Sequence, residues 1–257
     1  MYTEKDRESL LNQIAERMRG SDEFEGLLLI GSGAEDFLDC YSDIDLMAGC
    51  FADAQIGAAK EKLLSFFESL GAVYVDKRRW SDTVLGFSAY FENGLSADVS
   101  FMPTAQLRIR SPRWKLVFSK TDGFTDTVQR RETQRKETNR GMDDSVHHQF
   151  VYALRRCEIA LLRFEFVYAD RMLSDARQML LNVEAMREGK DLHQFKAYNT
   201  LDADFLTRLE KTYPSSRTCH SLTEAKQELL ALYLDTVKQC DFLVFDARQL
   251  KLLDCFA

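Results

Sequence analysis

The spacing of apolar residues divides the chain into two parts of different character. In the first part, apolar residues at helical spacing alternate with short runs rich in β-branched and aromatic residues. The pattern predicts one helix from a capping box at Thr3 to near Gly20, and a second over residues 54–70 that ends at Gly71. It also predicts strands that begin near residues 27, 43, 73, 83, 96 and 114. The first part is therefore expected to contain both helices and a sheet.

The second part has only the helical pattern. From a cap at Asp143 or Asp144, the spacing predicts a long buried helix that extends to Val167. Further helices are predicted over residues 171–187, 202–213 and 222–245. A helical part that follows a part with a sheet indicates two segregated units. We therefore expect the α+β class, with a mixed sheet in the first domain and an all-helical C-terminal domain.

Residues 129–140 separate the two parts and contain no apolar side chain. We predict a first domain over residues 1–128, a charged linker over 129–142 and a second domain over 143–257. Charge runs usually face water, and Glu132 and Lys136 stand at i,i+4 spacing, so a solvated helix or linker is the favoured interpretation.

Candidate chemistry lies where two apolar runs meet small and acidic residues. Leu27–Ile30 ends in Gly31-Ser32-Gly33, and a later run contains Asp43 and Asp45. Residues i and i+2 of a strand point to the same face, about 7 Å apart, so these carboxylates should point together. Two carboxylates can hold Mg²⁺ ions that share substrate phosphates, and a glycine turn lets backbone N–H groups approach phosphate. The combination indicates a nucleoside triphosphate handled with metal.

A third acid, Asp98, lies in a strand that follows a hairpin signal at residues 92–94. We expect the hairpin to bring Asp98 beside Asp43 and Asp45, in an antiparallel part of a mixed sheet. The alternative is that Asp43 caps a turn and Asp98 is a solvated strand residue.

The ordered set of Gly31-Ser32, Ser42-Asp43-Ile44-Asp45-Leu46 and Ser96-Ala97-Asp98 resembles the signature of the DNA-polymerase-beta-like nucleotidyltransferase superfamily. It is similar in particular to the enzymes that adenylylate aminoglycoside or lincosamide antibiotics. The resemblance implies transfer of AMP from ATP to a hydroxyl of a small acceptor, with release of pyrophosphate. It implies that two Mg²⁺ ions are held by Asp43, Asp45 and Asp98, and that the nucleotide is bound by Gly31, Ser32, Gly33 and Ser42. Asp98 would complete the metal shell or act as the general base.

The resemblance also assigns roles to the second part of the chain. The helical domain would form the acceptor side of the cleft and could pair in a homodimer. Arg177 and Lys196 resemble positions that face the nucleotide, with surface positions an equal alternative. Glu158 and Glu165, both expected on the long helix, are candidate acids that would bind a cationic acceptor. An alternative for the charged segment is that its arginines, Arg131 or Arg135, reach back to the triphosphate.

Charge and cysteine content limit the partners and the compartment. A net charge of −7 argues against nucleic acid as a general partner and favours a cationic acceptor. The six cysteines form no Cys-x-x-Cys pair, which argues against structural zinc, and Cys40 in the motif loop is read as a passive small residue. We expect a cytoplasmic protein with reduced thiols, since no signal peptide or membrane-spanning run is evident. His147 and His148 should point apart, one inward and one outward.

One departure from the resembling enzymes concerns the charge after the glycine turn. Ala34, Glu35 and Asp36 stand where many of them carry a basic residue, so metal or a distant arginine must offset the two acids. Two other functions stay open: a non-catalytic domain that senses nucleotide or binds a partner protein, and an adenylyltransferase that modifies a protein side chain.

Overall fold

The protein is described by a computed structural model that covers residues 2–35, 41–138, 145–190, 192, 196–243 and 248. The chain forms two compact units, one over Met1–Asn139 and the other over Arg140–Ala257. Each unit is described by itself below.

The first unit is built on a six-stranded mixed sheet. Its helices are α1 (Glu4–Arg19), α2 (Ile56–Ser69) and α3 (Asp122–Thr138), and 3₁₀ turns cover Gly31–Glu35, Asp53–Gln55 and Thr104–Gln106. Its strands are β1 (Phe24–Ile30), β2 (Ile44–Cys50), β3 (Ala72–Arg79), β4 (Leu85–Phe91), β5 (Ser96–Pro103) and β6 (Trp114–Ser119), in the order β3-β4-β5-β2-β1-β6. The capping box at Thr3 is present, so the sequence prediction for the start of α1 is confirmed.

The pairing of β2 with β5 corrects one prediction. These strands are parallel, whereas an antiparallel neighbourhood was expected around Asp98. The chain reverses direction twice, from β3 to β4 and from β4 to β5, and both of these pairs are antiparallel. Because β3 already runs in the direction of β2, two reversals return β5 to that direction. The mixed character of the sheet is confirmed.

The two faces of the sheet have different surroundings. Alternate residues of β2 and β5, including Ile44, Leu46 and Val99, are buried in a core with the apolar faces of α1 and α2. On the opposite face, Phe124 of α3 is a central member of a smaller cluster, whose other buried residues are Leu28, Met102, Leu107, Ile109 and Val128. The Asp45 and Asp98 positions lie on this second face, because they alternate with the buried set.

The second unit is all-helical in its described part, which confirms the predicted α+β class. It contains α4 (Ser145–Leu162), α5 (Phe166–Arg187), α6 (Ala203–Glu210) and α7 (Cys219–Lys238), with a 3₁₀ turn at Tyr198–Thr200. The break between the predicted long helix and the helix predicted over 171–187 comes earlier than expected. Phe164 has a left-handed φ of +60° just after α4 ends, so Phe166 and Val167 belong to α5. The predicted caps at Asp143 and Asp144 lie outside the described residues. Within the described part, no helix has the length and apolar character needed to cross a membrane.

A buried polar pair lies in the core of the helical unit. His147 is buried, and its Nδ1 is 2.9 Å from the hydroxyl of Tyr233, which stacks on Phe150. His148 is exposed, so the prediction of one inward and one outward histidine is confirmed.

Candidate active site

Two carboxylates lie side by side on the second face of the sheet. Asp45 of β2 is the register partner of Asp98 of β5, so their backbones are separated by one strand spacing, about 4.8 Å. Both residues are half-buried. We call Asp45 and Asp98 the acid pair. Of the three motif acids that the sequence predicts to lie together, the fold places Asp45 and Asp98 side by side.

Asp43 occupies a different position from the acid pair. It lies one residue before β2 begins and is exposed. Among the described residues, no group of three or more histidine, cysteine, aspartate or glutamate side chains is arranged to hold a metal ion. The structure thus brings together two of the three predicted metal ligands, and the part assigned to Asp43 stays a prediction.

Gly31 places the turn after β1 next to the acid pair. Its φ is +70°, a left-handed conformation that favours glycine, and a Cβ at this position would lie 3.2 Å from Oδ2 of Asp45. Its backbone N–H donates to the carbonyl of Arg113 at 3.1 Å. This N–H is therefore engaged by the residue that precedes β6, and the expectation that it faces phosphate stays a prediction. For Ser32 and Gly33, which share the same turn, a phosphate role stays a prediction.

The segment that leads into β2 is held from the first helix. The carbonyl of Ser42 accepts hydrogen bonds from the Tyr2 hydroxyl at 3.3 Å and from Nη1 of Arg7 at 3.2 Å. Arg7 is buried, on the same face of α1 as Leu10. The sequence interpretation gave this helix no part in the site. An arginine at a core position of an amphipathic helix was the signal that could have indicated one.

Ser88 adds a buried hydroxyl that the sequence interpretation missed. It is the register partner of Asp98 on β4 and is only 1% exposed. In the described structure its Oγ has no hydrogen-bond partner. A cavity of about 130 Å³ is lined by the acid pair, Ser88, Arg78 and Trp80, among other residues. A buried hydroxyl without a partner is unfavourable in a folded protein, so it indicates a place for a ligand or water.

A larger cavity adjoins the small one on the same face. Its volume is about 660 Å³, and it shares Trp80 and Ser100 with the small cavity. We call it the arginine cavity, since its lining includes Arg108, Arg110 and Arg131. The side chain of Trp80 lies over Gly86, where a Cβ would be 2.6 Å from Cη2 of the tryptophan.

The charged stretch that starts at Gln129 is helical through Thr138, as the last part of α3. Its residues do not all face water. Glu132 and Arg135 are only 13% and 12% exposed and form an ion pair at 3.0 Å. The hydrogen bond from Arg135 lowers the pKa of Glu132 below its usual value. The predicted i,i+4 contact of Glu132 with Lys136 is also present, at 3.4 Å.

Arg177, assigned to nucleotide by the resemblance, is part of the core of the helical unit. It is 4% exposed, its Nη1 donates to the Thr212 carbonyl at 2.8 Å, and its Nη2 donates to Ser174 Oγ at 3.0 Å. Its guanidinium also lies 4.2 Å from the ring centre of Tyr213, and burial lowers its pKa. These contacts explain the arginine within its own unit, and we leave it out of the proposed site.

The remaining candidates in the helical unit have ordinary surroundings. Lys196 is exposed. Glu158 accepts from Nζ of Lys226 at 2.7 Å, so its charge is balanced within the unit. Glu165 is exposed and precedes α5, not on the long helix as predicted, because α4 ends at Leu162.

Comparisons with known proteins give similarity at the level of structure. No protein-family model matches the chain, and no curated protein matches its sequence. The structure is similar to an aminoglycoside 6-adenyltransferase from Bacillus subtilis, with 12% identity, a TM-score of 0.44, and coverage of 100% of this chain and 98% of the other. It is also similar to a nucleotidyltransferase-like protein from Exiguobacterium sibiricum, with 14% identity, a TM-score of 0.40, and coverage of 90% and 74%.

Proposed function

We propose that this chain is a nucleotidyltransferase that moves AMP from ATP to a hydroxyl of a small molecule and releases pyrophosphate. The observation that carries the proposal is the acid pair: two carboxylates on adjacent parallel strands, beside a glycine turn in which a Cβ would touch Asp45. The sequence motif that surrounds these residues supports the same assignment.

The donor set fits a magnesium ion. Mg²⁺ prefers oxygen ligands and is commonly bound by one or two carboxylates together with substrate phosphates. Asp45 and Asp98 provide two such carboxylates, and the absence of a Cβ at Gly31 leaves room beside Oδ2 of Asp45. When bound, the metal would neutralise charge on the phosphates and polarise the α-phosphorus. A second ion, with Asp43 as an additional ligand, is part of the same proposal.

The proposed reaction assigns one step to each residue of the acid pair. Asp98 accepts the proton of the acceptor hydroxyl as general base, and the hydroxyl oxygen then forms a bond to the α-phosphorus. The bond from that phosphorus to the oxygen of the leaving group breaks, and pyrophosphate departs with the electron pair. Asp45, which β2 and the turn at Gly31 hold in place, would be a ligand of the metal that binds the phosphates, and so would help to align them for in-line displacement.

Pyrophosphate release and product mass test this proposal together. ATP and Mg²⁺ are incubated with a panel of hydroxylated acceptors that includes aminoglycosides and lincosamides, and products are examined for the added mass of AMP. Asp98→Asn should lower turnover by roughly 10²–10⁴-fold, the range for loss of a general base. Asp76→Asn is the matched control, because Asp76 lies on the same row of the sheet but is paired with Arg78. Wild-type-like turnover by Asp98→Asn would contradict the proposal, and AMP found on a protein would instead support the protein-modifying alternative.

One observation favours a second candidate function. Because Asp43 is exposed and lies before β2, while Asp45 and Asp98 alone form the acid pair, the site could bind nucleotide without transferring it. A non-catalytic nucleotide sensor would show Mg²⁺-dependent ATP binding that needs the acid pair, with no pyrophosphate released on any acceptor. An adenylyltransferase would show both.

A further inference from the structure

The arginine cavity concentrates positive charge in a chain whose net charge is −7. Three guanidinium groups line it, and its lining includes no aspartate or glutamate. Two of them come from the segment after β5, where buried Leu107 and Ile109 alternate with exposed Arg108 and Arg110. This alternation directs both arginines away from the apolar cluster and into the lining of the cavity.

The third arginine is fixed in place by the helix that carries it. Nη2 of Arg131 donates to the carbonyl of Ala105 at 2.9 Å, at the edge of the cavity. The helix itself packs closely on the sheet, because a Cβ on Gly26 or Gly49 would lie 2.4 or 2.6 Å from ring atoms of Phe124. The cavity wall is therefore supported by tertiary packing.

Neither exposed arginine is balanced by a neighbouring acid. In the described part of the chain, Arg108 and Arg110 take part in no ion pair or hydrogen bond. The contacts of Arg131 are with the neutral groups of Ala105 and Gln134. Guanidinium groups bind phosphate and carboxylate in a planar, bidentate manner, so three of them without counter-charges at one cavity indicate an anionic ligand.

The floor of the cavity favours a nucleotide over a small inorganic ion. Met47, Val84 and Met102 are apolar, and Trp80 is 59% exposed, so the cavity offers an aromatic surface beside the arginines. Met47 stands two residues after Asp45 on the same strand face, about 7 Å along the sheet. A ligand in the cavity could therefore reach the acid pair.

We propose that the arginine cavity binds the phosphate groups of a substrate of the reaction, with Arg108 and Arg110 as its main ligands. The choice of substrate rests on the proposed function, and two sources share this chemistry: the triphosphate of ATP and a phosphate carried by the acceptor. In either case the cavity supplies the positive charge that the Ala34-Glu35 loop lacks. A purely cationic acceptor would be repelled from this wall.

Calorimetric titration with inorganic triphosphate, in EDTA and without metal, tests the cavity alone. Arg108→Gln/Arg110→Gln should bind at least about tenfold more weakly, since a hydrogen bond to a charged group is typically worth a factor of this size. The matched control, Lys5→Gln/Arg130→Gln, removes the same charge from exposed positions outside the cavity and should change affinity by less than about twofold. Equal weakening in both double variants, or in neither, would overturn the proposal.

Two further measurements show whether the bound phosphate belongs to ATP or to the acceptor, and they separate this proposal from the proposed function. If ATP affinity falls in Arg108→Gln/Arg110→Gln, the triphosphate of ATP occupies the cavity. If ATP affinity is unchanged and inorganic phosphate binds alongside saturating ATP only in the wild type, the acceptor carries the phosphate. Asp45→Asn/Asp98→Asn should abolish transfer but keep triphosphate binding in EDTA. The results for the arginine variants therefore test only the cavity proposal, and the results for the acid variants test only the proposed function.

Discussion

Replacing Gly31 with alanine should damage the candidate site more than the fold. Gly31 has a φ of +70°, and an alanine Cβ there would lie 3.2 Å from Oδ2 of Asp45. The left-handed conformation costs a residue with a Cβ about 1–2 kcal/mol relative to glycine. The contact is tighter than an ordinary carbon–oxygen van der Waals distance, so the carboxylate of Asp45 must shift by a few tenths of an ångström.

The expected magnitudes follow from these two effects. The free energy of unfolding should fall by about 1–2 kcal/mol, which corresponds to a decrease in Tm of roughly 4 °C per kcal/mol. Mutating a residue that positions a metal-binding carboxylate commonly lowers metal affinity by about 10–100-fold. We therefore expect Gly31→Ala to weaken Mg²⁺-dependent binding of ATP by about tenfold.

Two other glycines provide matched controls. Gly71 and Gly94 have φ values of +81° and +86°, and in the described structure no heavy atom lies within 4 Å of a Cβ built on either. Gly71→Ala and Gly94→Ala should thus lose a similar amount of stability while binding nucleotide as the wild type does. The assay is urea unfolding together with titration of a non-hydrolysable ATP analogue in the presence and absence of Mg²⁺. Wild-type nucleotide affinity in folded Gly31→Ala would refute the reasoning.

Three further predictions concern the second face of the sheet and the cores of the two units. Ser88→Ala should preserve or raise stability, because it removes a buried hydroxyl without a partner, yet weaken Mg²⁺-dependent nucleotide binding; unchanged binding would exclude a role in the site. Glu132→Gln should lower the free energy of unfolding by about 1 kcal/mol at pH 7, by removing the half-buried pair with Arg135. Folding lowers the pKa of Glu132 below 4.5, the value in the unfolded chain. The stability difference between wild type and Glu132→Gln should therefore have its full size above pH 4.5 and disappear as the pH falls through the folded pKa. Urea unfolding at several pH values checks this. Tyr233→Phe should cost about 1–3 kcal/mol, because it leaves buried His147 without the hydroxyl, and a loss below 0.5 kcal/mol would contradict this.

Most of the element pattern could be predicted because it depends on local periodicity. The position of Asp98 beside Asp45 followed from a strand, a hairpin and a strand in sequence. The parallel pairing of β2 with β5 could not be predicted in the same way. Periodicity does not show whether β2 pairs with the first or the second strand of the β4–β5 hairpin, and the two choices give opposite directions. The break at Phe164 was hidden for a similar reason, since apolar residues continue across it at helical spacing.

The arginines show where residue type alone is a poor guide to a site. Arg177 resembles, by its place on a helix, a position that faces nucleotide, yet in the structure it is buried and bonds to Thr212 within its own unit. Arg108 and Arg110 lie between prolines, in a segment without regular structure, so no motif drew attention to them. Only the tertiary fold shows that they line one cavity with Arg131.

The acid pair can be tested without knowledge of the acceptor. A non-hydrolysable ATP analogue is titrated, with and without Mg²⁺, into the wild type and into Asp45→Asn/Asp98→Asn. Urea unfolding of both proteins in EDTA is measured alongside, so that a loss of binding is not attributed to unfolding. We predict Mg²⁺-dependent binding in the wild type that disappears in the double variant. Binding of equal strength in both proteins, or none in the wild type, would contradict a nucleotide site at Asp45 and Asp98.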